Sequence, residues 1–146
     1  MNVMTGDITE YSTAVLTHFR APHNVGVFPS SAARVFKGQA GARRHGREVE
    51  FQLQITTDNR IVECRYRVYG CPATIALCSL TSDALTGLSL EEAAVFSAVA
   101  LAEQSGLPAE KRAAAIMVED AVRAAVAEYN TQWKPLTATG FEAKQV

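Results

Sequence analysis

The strongest constraint on how this chain can fold is a pair of strictly alternating segments. In EVEFQLQI, Val49, Phe51, Leu53 and Ile55 alternate with Glu48, Glu50, Gln52 and Gln54. In IVECRYRVY, Val62, Cys64, Tyr66 and Val68 alternate with Glu63, Arg65, Arg67 and Tyr69. A period of two puts apolar side chains on one face and polar ones on the other, so each segment predicts a strand with one dry and one wet face. TTDNR lies between them, which predicts an antiparallel hairpin with a loop slightly longer than the tightest type. A dry sheet face must be covered, and the remaining sequence offers helices to do it.

After Gly70 the pattern turns helical. Pro72 suits the first helical position, and a helix is expected through ATIALCSLTSDAL to near Gly87. Ser89 and Glu92 have capping-box spacing at the start of LEEAAVFSAVALAEQ, which reads as one helix ending at Ser105–Gly106. Pro108 then opens a last helix expected to reach about Tyr129, with Ala114, Val118, Val122, Ala125 and Tyr129 on one apolar stripe. Upstream, Asp7 with Glu10 reads as a helix start, followed by a Tyr11, Val15 and Phe19 stripe that stops before the loop APHNVGVFPSS. ARVFKGQAG suits a short strand, and GARRHGRE a basic, glycine-flanked loop. The expected fold class is α+β: a small antiparallel sheet of about three strands covered on one face by helices. The whole of 1–146 reads as one domain, with its core over 10–130 and a loosely ordered tail over 131–146.

Composition narrows the function. A length of 146 residues suffices for one real core. A net charge of -1 argues against a chain that coats nucleic acid or an anionic membrane, so neither is expected as a partner. The opening MNVMTGDITEYS lacks the charged and apolar regions of a signal peptide, and the expected compartment is the cytoplasm. Three cysteines, Cys64, Cys71 and Cys78, are too few and too odd in number for a disulfide framework.

Cys71 ends a strand and stands directly before the Pro-started helix. A thiol there meets unpaired N–H groups and the positive end of the helix dipole, and both favour the thiolate, the nucleophilic and metal-binding form. The competing reading is a small apolar filler at a tight turn. Cys64 falls on the dry strand face and reads as a buried, inert cysteine. Cys78 is two helical turns beyond Cys71, roughly 10 Å along the axis, too far to share one metal ion. His45, within ARRHGR, is either a solvated loop residue among arginines or a metal ligand.

These parts together resemble the IscU/NifU-type iron–sulfur cluster assembly scaffolds, over about Tyr11 to Tyr129. YSTAVLTHFRAPHNVGVF is similar to the family's N-terminal Tyr…Val…His-(Phe/Tyr)…Pro-x-Asn-x-Gly-x-Phe pattern. YGCPATIALCSLTSDALTGLSLEEA is similar to its Tyr-Gly-Cys-x-x-x-Ile-Ala helix and the start of the next helix, and LPAEKRAAAIMVEDAV to its Leu-Pro-x-x-Lys segment followed by (Ala/Val)-Glu-Asp-Ala. The resemblance implies that the family holds a cluster or zinc ion with three cysteines and an aspartate. It also implies docking to a cysteine desulfurase and, through Leu-Pro-Pro-Val-Lys, to an Hsp70-type chaperone. Here Cys71 matches the second cysteine, His45 stands at the first, Arg47 at the aspartate, and Ala113, Ala114 and Ala115 at the family's His-Cys-Ser. A structural zinc or a 2Fe-2S cluster takes about four protein ligands, so the conventional zinc site is not expected.

The expected function is therefore that of a divergent, non-enzymatic scaffold, with Cys71 as sulfur acceptor or cluster ligand and a cysteine desulfurase as partner. Leu107, Pro108 and Lys111 match the chaperone motif, while Ala109 and Glu110 depart from it and argue against chaperone recognition. Ligand arithmetic allows a homodimer in which two Cys71 and two His45 share iron or a 2Fe-2S cluster. The second reading is an adaptor that keeps the fold and docks the assembly machinery without binding metal. An independent enzyme is disfavoured, because the chain has no phosphate-binding Gly-rich loop, no His-Glu-x-x-His and no Gly-x-Ser-x-Gly.

Overall fold

The computed structural model describes residues 11–132. The Asp7–Glu10 helix start and residues 133–146 of the expected tail lie outside them. Helix α1 (Thr13–Arg20) leads into three strands, β1 (Val35–Ala42), β2 (Arg47–Ile55) and β3 (Ile61–Tyr69). Helices α2 (Pro72–Leu85), α3 (Leu90–Ala94), α4 (Ala98–Gln104) and α5 (Arg112–Gln132) follow. The strands form an antiparallel sheet in the order β1-β2-β3. Helices α5 and α2 pack on one face of it, α5 along β1 and β2 and α2 against β3. Among the described residues no helix is long and apolar enough to cross a membrane.

The predicted hairpin is β2–β3, with Phe51 opposite Tyr66 and Leu53 opposite Cys64, all four buried. The dry face of its second strand differs from the expectation at one position. Val62 is not on the dry face but 52% exposed, while Ile61 is buried. Gln54 pairs with Glu63 yet Ile55 pairs with Ile61, so β3 carries an extra residue at this point. Such a bulge flips the alternation on one side of it. Gln52 is also buried although it lies on the nominally wet face. The loop after α1 crosses that face: the Phe28 N–H donates to Gln52 Oε1 at 2.9 Å, and the Arg65 guanidinium sits 5.0 Å from the Phe28 ring centre.

The segment expected as a short strand is a full eight-residue strand, β1. Its inward positions hold Gly38 and Ala40 opposite Phe51 and Val49. A Cβ at Gly38 would stand 2.1 Å from Ala121 O and 2.2 Å from Ala125 N. The backbone of α5 therefore runs directly over β1, and only glycine leaves room for it.

The helix termini follow local chemistry. Ser12 caps α1, its Oγ accepting from the Val15 N–H at 3.2 Å. Tyr11 and Val15 are buried and Phe19 is partly buried, as the stripe requires, although Tyr11 precedes the first turn. The single helix expected over LEEAAVFSAVALAEQ is two. Ser89 and Glu92 close the predicted capping box on α3, but Ser97 caps a new helix, its Oγ accepting from the Ala100 N–H at 3.0 Å. The buried Glu119 carboxylate of α5 accepts the Val99 N–H at 3.0 Å and so favours the break from the far side of the contact. Pro108 does not open α5 directly. A 3-10 turn, Ala109–Lys111, comes first. The expected α5 stripe, Ala114, Val118, Val122, Ala125 and Tyr129, is buried throughout.

Candidate functional site: a cleft around Cys71

Because β2 lies between β1 and β3, the β1–β2 turn sits beside the C-terminal end of β3. Ala42 faces Arg47 across one ladder and Glu48 faces Tyr69 across the other. The turn is a 3-10 turn, Arg43–His45, closed by Gly46 at φ +89, a left-handed conformation that glycine adopts without penalty. Arg43 pins it down: its guanidinium lies 5.0 Å from the Tyr69 ring centre, and Nε is 3.5 Å from a Glu48 carboxylate oxygen. Two residues beyond Tyr69 the chain reaches Cys71. The start of α5 supplies the third wall. The residues lining the resulting open cleft of about 360 Å³ include His45, Arg47, Cys71, Glu110, Lys111 and Ala114. The sequence-predicted residues Cys71 and His45 are thus brought to one place.

Cys71 is the N-cap residue of α2, with extended backbone (φ -80, ψ 170) and Pro72 in the first turn. Its Sγ lies 3.5 Å from Thr74 Oγ1, and the Lys111 Nζ donates to it at 3.9 Å. Partial burial alone pushes this thiol up. The Thr74 hydroxyl and N–H, the Lys111 ammonium and the Ala73 N–H together outweigh burial and hold it below the ordinary thiol value. The other two cysteines have the opposite character. Burial pushes Cys64 up to about 12, and its Sγ donates to Ser82 O at 3.1 Å. Cys78 is fully enclosed in the core and also pushed up. All three are free thiols, and only Cys71 combines access with activation.

The cleft does not fit a four-coordinate metal held by one chain. Cys71, the exposed His45 and Glu110 offer a thiolate, an imidazole and a carboxylate, but among the described residues their donor atoms do not converge within 4.8 Å, and Ala114, buried at the third wall, offers no donor. Lys111 holds a cation 3.9 Å from the thiol and Arg47 lines the same cleft, and a like charge about 4 Å from an ion costs from about 1 kcal/mol in water to about 4 kcal/mol at an effective dielectric of 20. Among the described residues, the one set of three His, Cys, Asp or Glu side chains whose donor atoms converge within 4.8 Å is elsewhere: His18, His23 and Asp83. Neither that set nor the Lys111–Cys71 contact is visible to sequence reasoning alone. Lys111 is recognisable in the Leu-Pro-x-x-Lys segment, but nothing local says that it reaches a thiol 40 residues away in sequence.

A helix-covered, three-stranded sheet with a half-buried cysteine at a helix start in an open cleft defines a small domain of the α+β class. The profile of the NifU-like N terminal domain family matches residues 10–135, and the chain belongs to that family. It is 34% identical over 122 residues to the iron-sulfur cluster assembly scaffold protein IscU of Escherichia coli K12, covering 84% of this chain and 95% of that one. It is 32% identical over 126 residues to iron sulfur cluster assembly protein 2, mitochondrial, of Saccharomyces cerevisiae, covering 86% and 81%. Among solved structures, the N-terminal part of a NifU-like protein from Brucella abortus superposes with a TM-score of 0.63 at 15% identity, covering 88% of this chain and 99% of that one. That likeness is one of fold.

Proposed function

We propose that this protein is a divergent iron–sulfur cluster assembly scaffold in which Cys71 is the sulfur acceptor. The observation that carries the reading is the position of Cys71 Sγ at the start of α2, 3.9 Å from the Lys111 ammonium, with its thiol held below the ordinary value despite partial burial. The relatives, named as scaffolds of iron–sulfur assembly, supply the context.

The chemistry is a persulfide exchange. The Cys71 thiolate attacks the outer sulfur of a donor persulfide, R–S–SH. A new S–S bond forms at Cys71, the donor S–S bond breaks, and the donor departs as the thiolate R–S⁻. No electrons enter or leave. The donor class is a cysteine desulfurase carrying its sulfur as a persulfide, and the acceptor is not itself an enzyme. Lys111 and the α2 N–H groups favour the anionic sulfur before and after transfer, which the same cations would not do for a bound metal ion. Reduced thiols suit a cytoplasmic setting.

A second reading rests on His45 lining the same cleft. Two chains facing each other offer two Cys71 and two His45, a four-donor set for iron or a 2Fe-2S cluster. The experiment is co-purification with a desulfurase followed by incubation with labelled cysteine. Label retained by the wild type and lost in Cys71→Ala supports the acceptor; binding without transfer supports an adaptor. Anaerobic reconstitution with iron and sulfide separates the shared cluster, whose visible spectrum would vanish in both Cys71→Ala and His45→Ala.

A further inference from the structure

We propose that His18, His23 and Asp83 form a second site, for a divalent first-row transition ion such as Zn2+ or Fe2+, independent of the Cys71 cleft. The donors come from two segments, the end of α1 with its following loop and the last turns of α2. Their ligand atoms all lie within 4.8 Å of one another. Donors bound to one ion at about 2.1 Å can be at most about 4.2 Å apart, so small rotations of exposed side chains complete the set. His23 Nδ1 is 2.7 Å from Asp83 Oδ2, and the His18 and His23 ring centres are 4.7 Å apart. Asp83 lies 12 residues beyond Cys71 on the same helix, about 18 Å along its axis, so the two sites share no ligand.

The surroundings hold each donor in place. Ser79 Oγ, fully buried, is 2.6 Å from His18 Nδ1 and accepts the His23 N–H at 2.9 Å. One serine thus fixes a ring of the first ligand and the backbone of the second. With Nδ1 engaged by the serine, Nε2 is the His18 atom left for an ion. Asn24 Nδ2 donates to Asp83 Oδ1 at 3.2 Å and to Ser82 Oγ at 2.9 Å. Partners of this kind, bonded to the outer atoms of ligands, are what orients imidazole and carboxylate around a metal. A simple surface ion pair would need only His23 and Asp83. The third donor, anchored to a buried hydroxyl and turned toward the pair, is what points to an ion. Two imidazoles with one carboxylate select Zn2+, Fe2+ and their neighbours over Mg2+ and Ca2+, and leave coordination positions open. His23 and Asp83 side chains are 50% and 45% exposed, so an ion can reach them.

The test uses the Cys71→Ala/His45→Ala variant, which removes the thiolate and the imidazole of the other cleft. Calorimetric titration with Zn2+ is expected to show one site per chain, and Mg2+ none. Adding His23→Ala or Asp83→Asn, both at solvent-facing positions, is expected to weaken Zn2+ binding at least about tenfold. Co2+ added to isotopically labelled protein is expected to broaden amide signals around His18, His23 and Asp83. Zn2+ isotherms that superimpose with and without His23 and Asp83, or Co2+ broadening centred elsewhere, would overturn the site.

Discussion

Replacing Lys111 by methionine isolates the electrostatic part of Cys71 activation while keeping the aliphatic stem that lines the cleft. The ammonium lies 3.9 Å from Sγ. Two unit charges about 4 Å apart interact by about 1 kcal/mol in water and about 4 kcal/mol at an effective dielectric of 20. Cys71 is half-buried in an open cleft, so the lower end applies. About 1.4 kcal/mol is tenfold in an equilibrium, and the ratio of thiolate to thiol at a given pH should fall about five- to tenfold. The sign is fixed: the cation stabilises the anion, so its loss moves the thiol titration to higher pH. A more basic thiolate is intrinsically more nucleophilic, with a Brønsted slope of about 0.4–0.5, and this returns nearly half of the loss on a logarithmic scale. The alkylation rate with iodoacetamide on the acid side of the thiol titration should therefore drop only about threefold, while the rate plateau at high pH rises. Cys64 and Cys78 are internal controls, since both are buried and raised. A pH–rate profile for Lys111→Met that overlays the wild type would refute the assignment of Lys111 as the activating cation.

Other outcomes follow from the same structure. Gly38→Ala puts a methyl group 2.1 Å from Ala121 O, and urea unfolding should show a loss of about 1–3 kcal/mol or more. Glu119→Ala leaves the Val99 N–H without its carboxylate acceptor and removes the 3.1 Å pair with Arg123, which should lower stability by about 1–3 kcal/mol. Cys64 is raised to about 12 in the folded state from an ordinary 9.0. Its contribution is thus complete below the unfolded value and lost as pH rises from there through the folded one, so the thermal midpoint should fall above pH 9, and less steeply in Cys64→Ala. Installing His45→Cys, Arg47→Asp and Ala114→Cys together gives the cleft four donors, and should add a Zn2+ site that raises the thermal midpoint only when the ion is present.

The hairpin was legible because Phe51, Leu53, Cys64 and Tyr66 repeat with the period of the pleat itself. β1 was only half legible, because its inward positions carry Gly38 and Ala40, and their reason lies in α5, more than 80 residues on. The bulge that exposes Val62 and buries Ile61 comes from register, which alternation alone does not record. The α3–α4 break depends on Ser97 and on Glu119 reaching back from another helix. The site divides in the same way. Cys71 could be singled out from its place before Pro72, since a helix start is a local property. Ala114 and His45 took their meaning from the family resemblance, and the fold brings both to Cys71. Lys111 at the thiol and Ser79 between two histidines are tertiary contacts with no local signature.

The most direct test of Cys71 as sulfur acceptor is the intact mass of the protein after anaerobic incubation with a cysteine desulfurase and cysteine. The wild type is predicted to gain the mass of a sulfur atom at Cys71, reversible by dithiothreitol, and Cys71→Ser to gain none. An unmodified wild type, or a sulfur adduct that persists in Cys71→Ser, would contradict it.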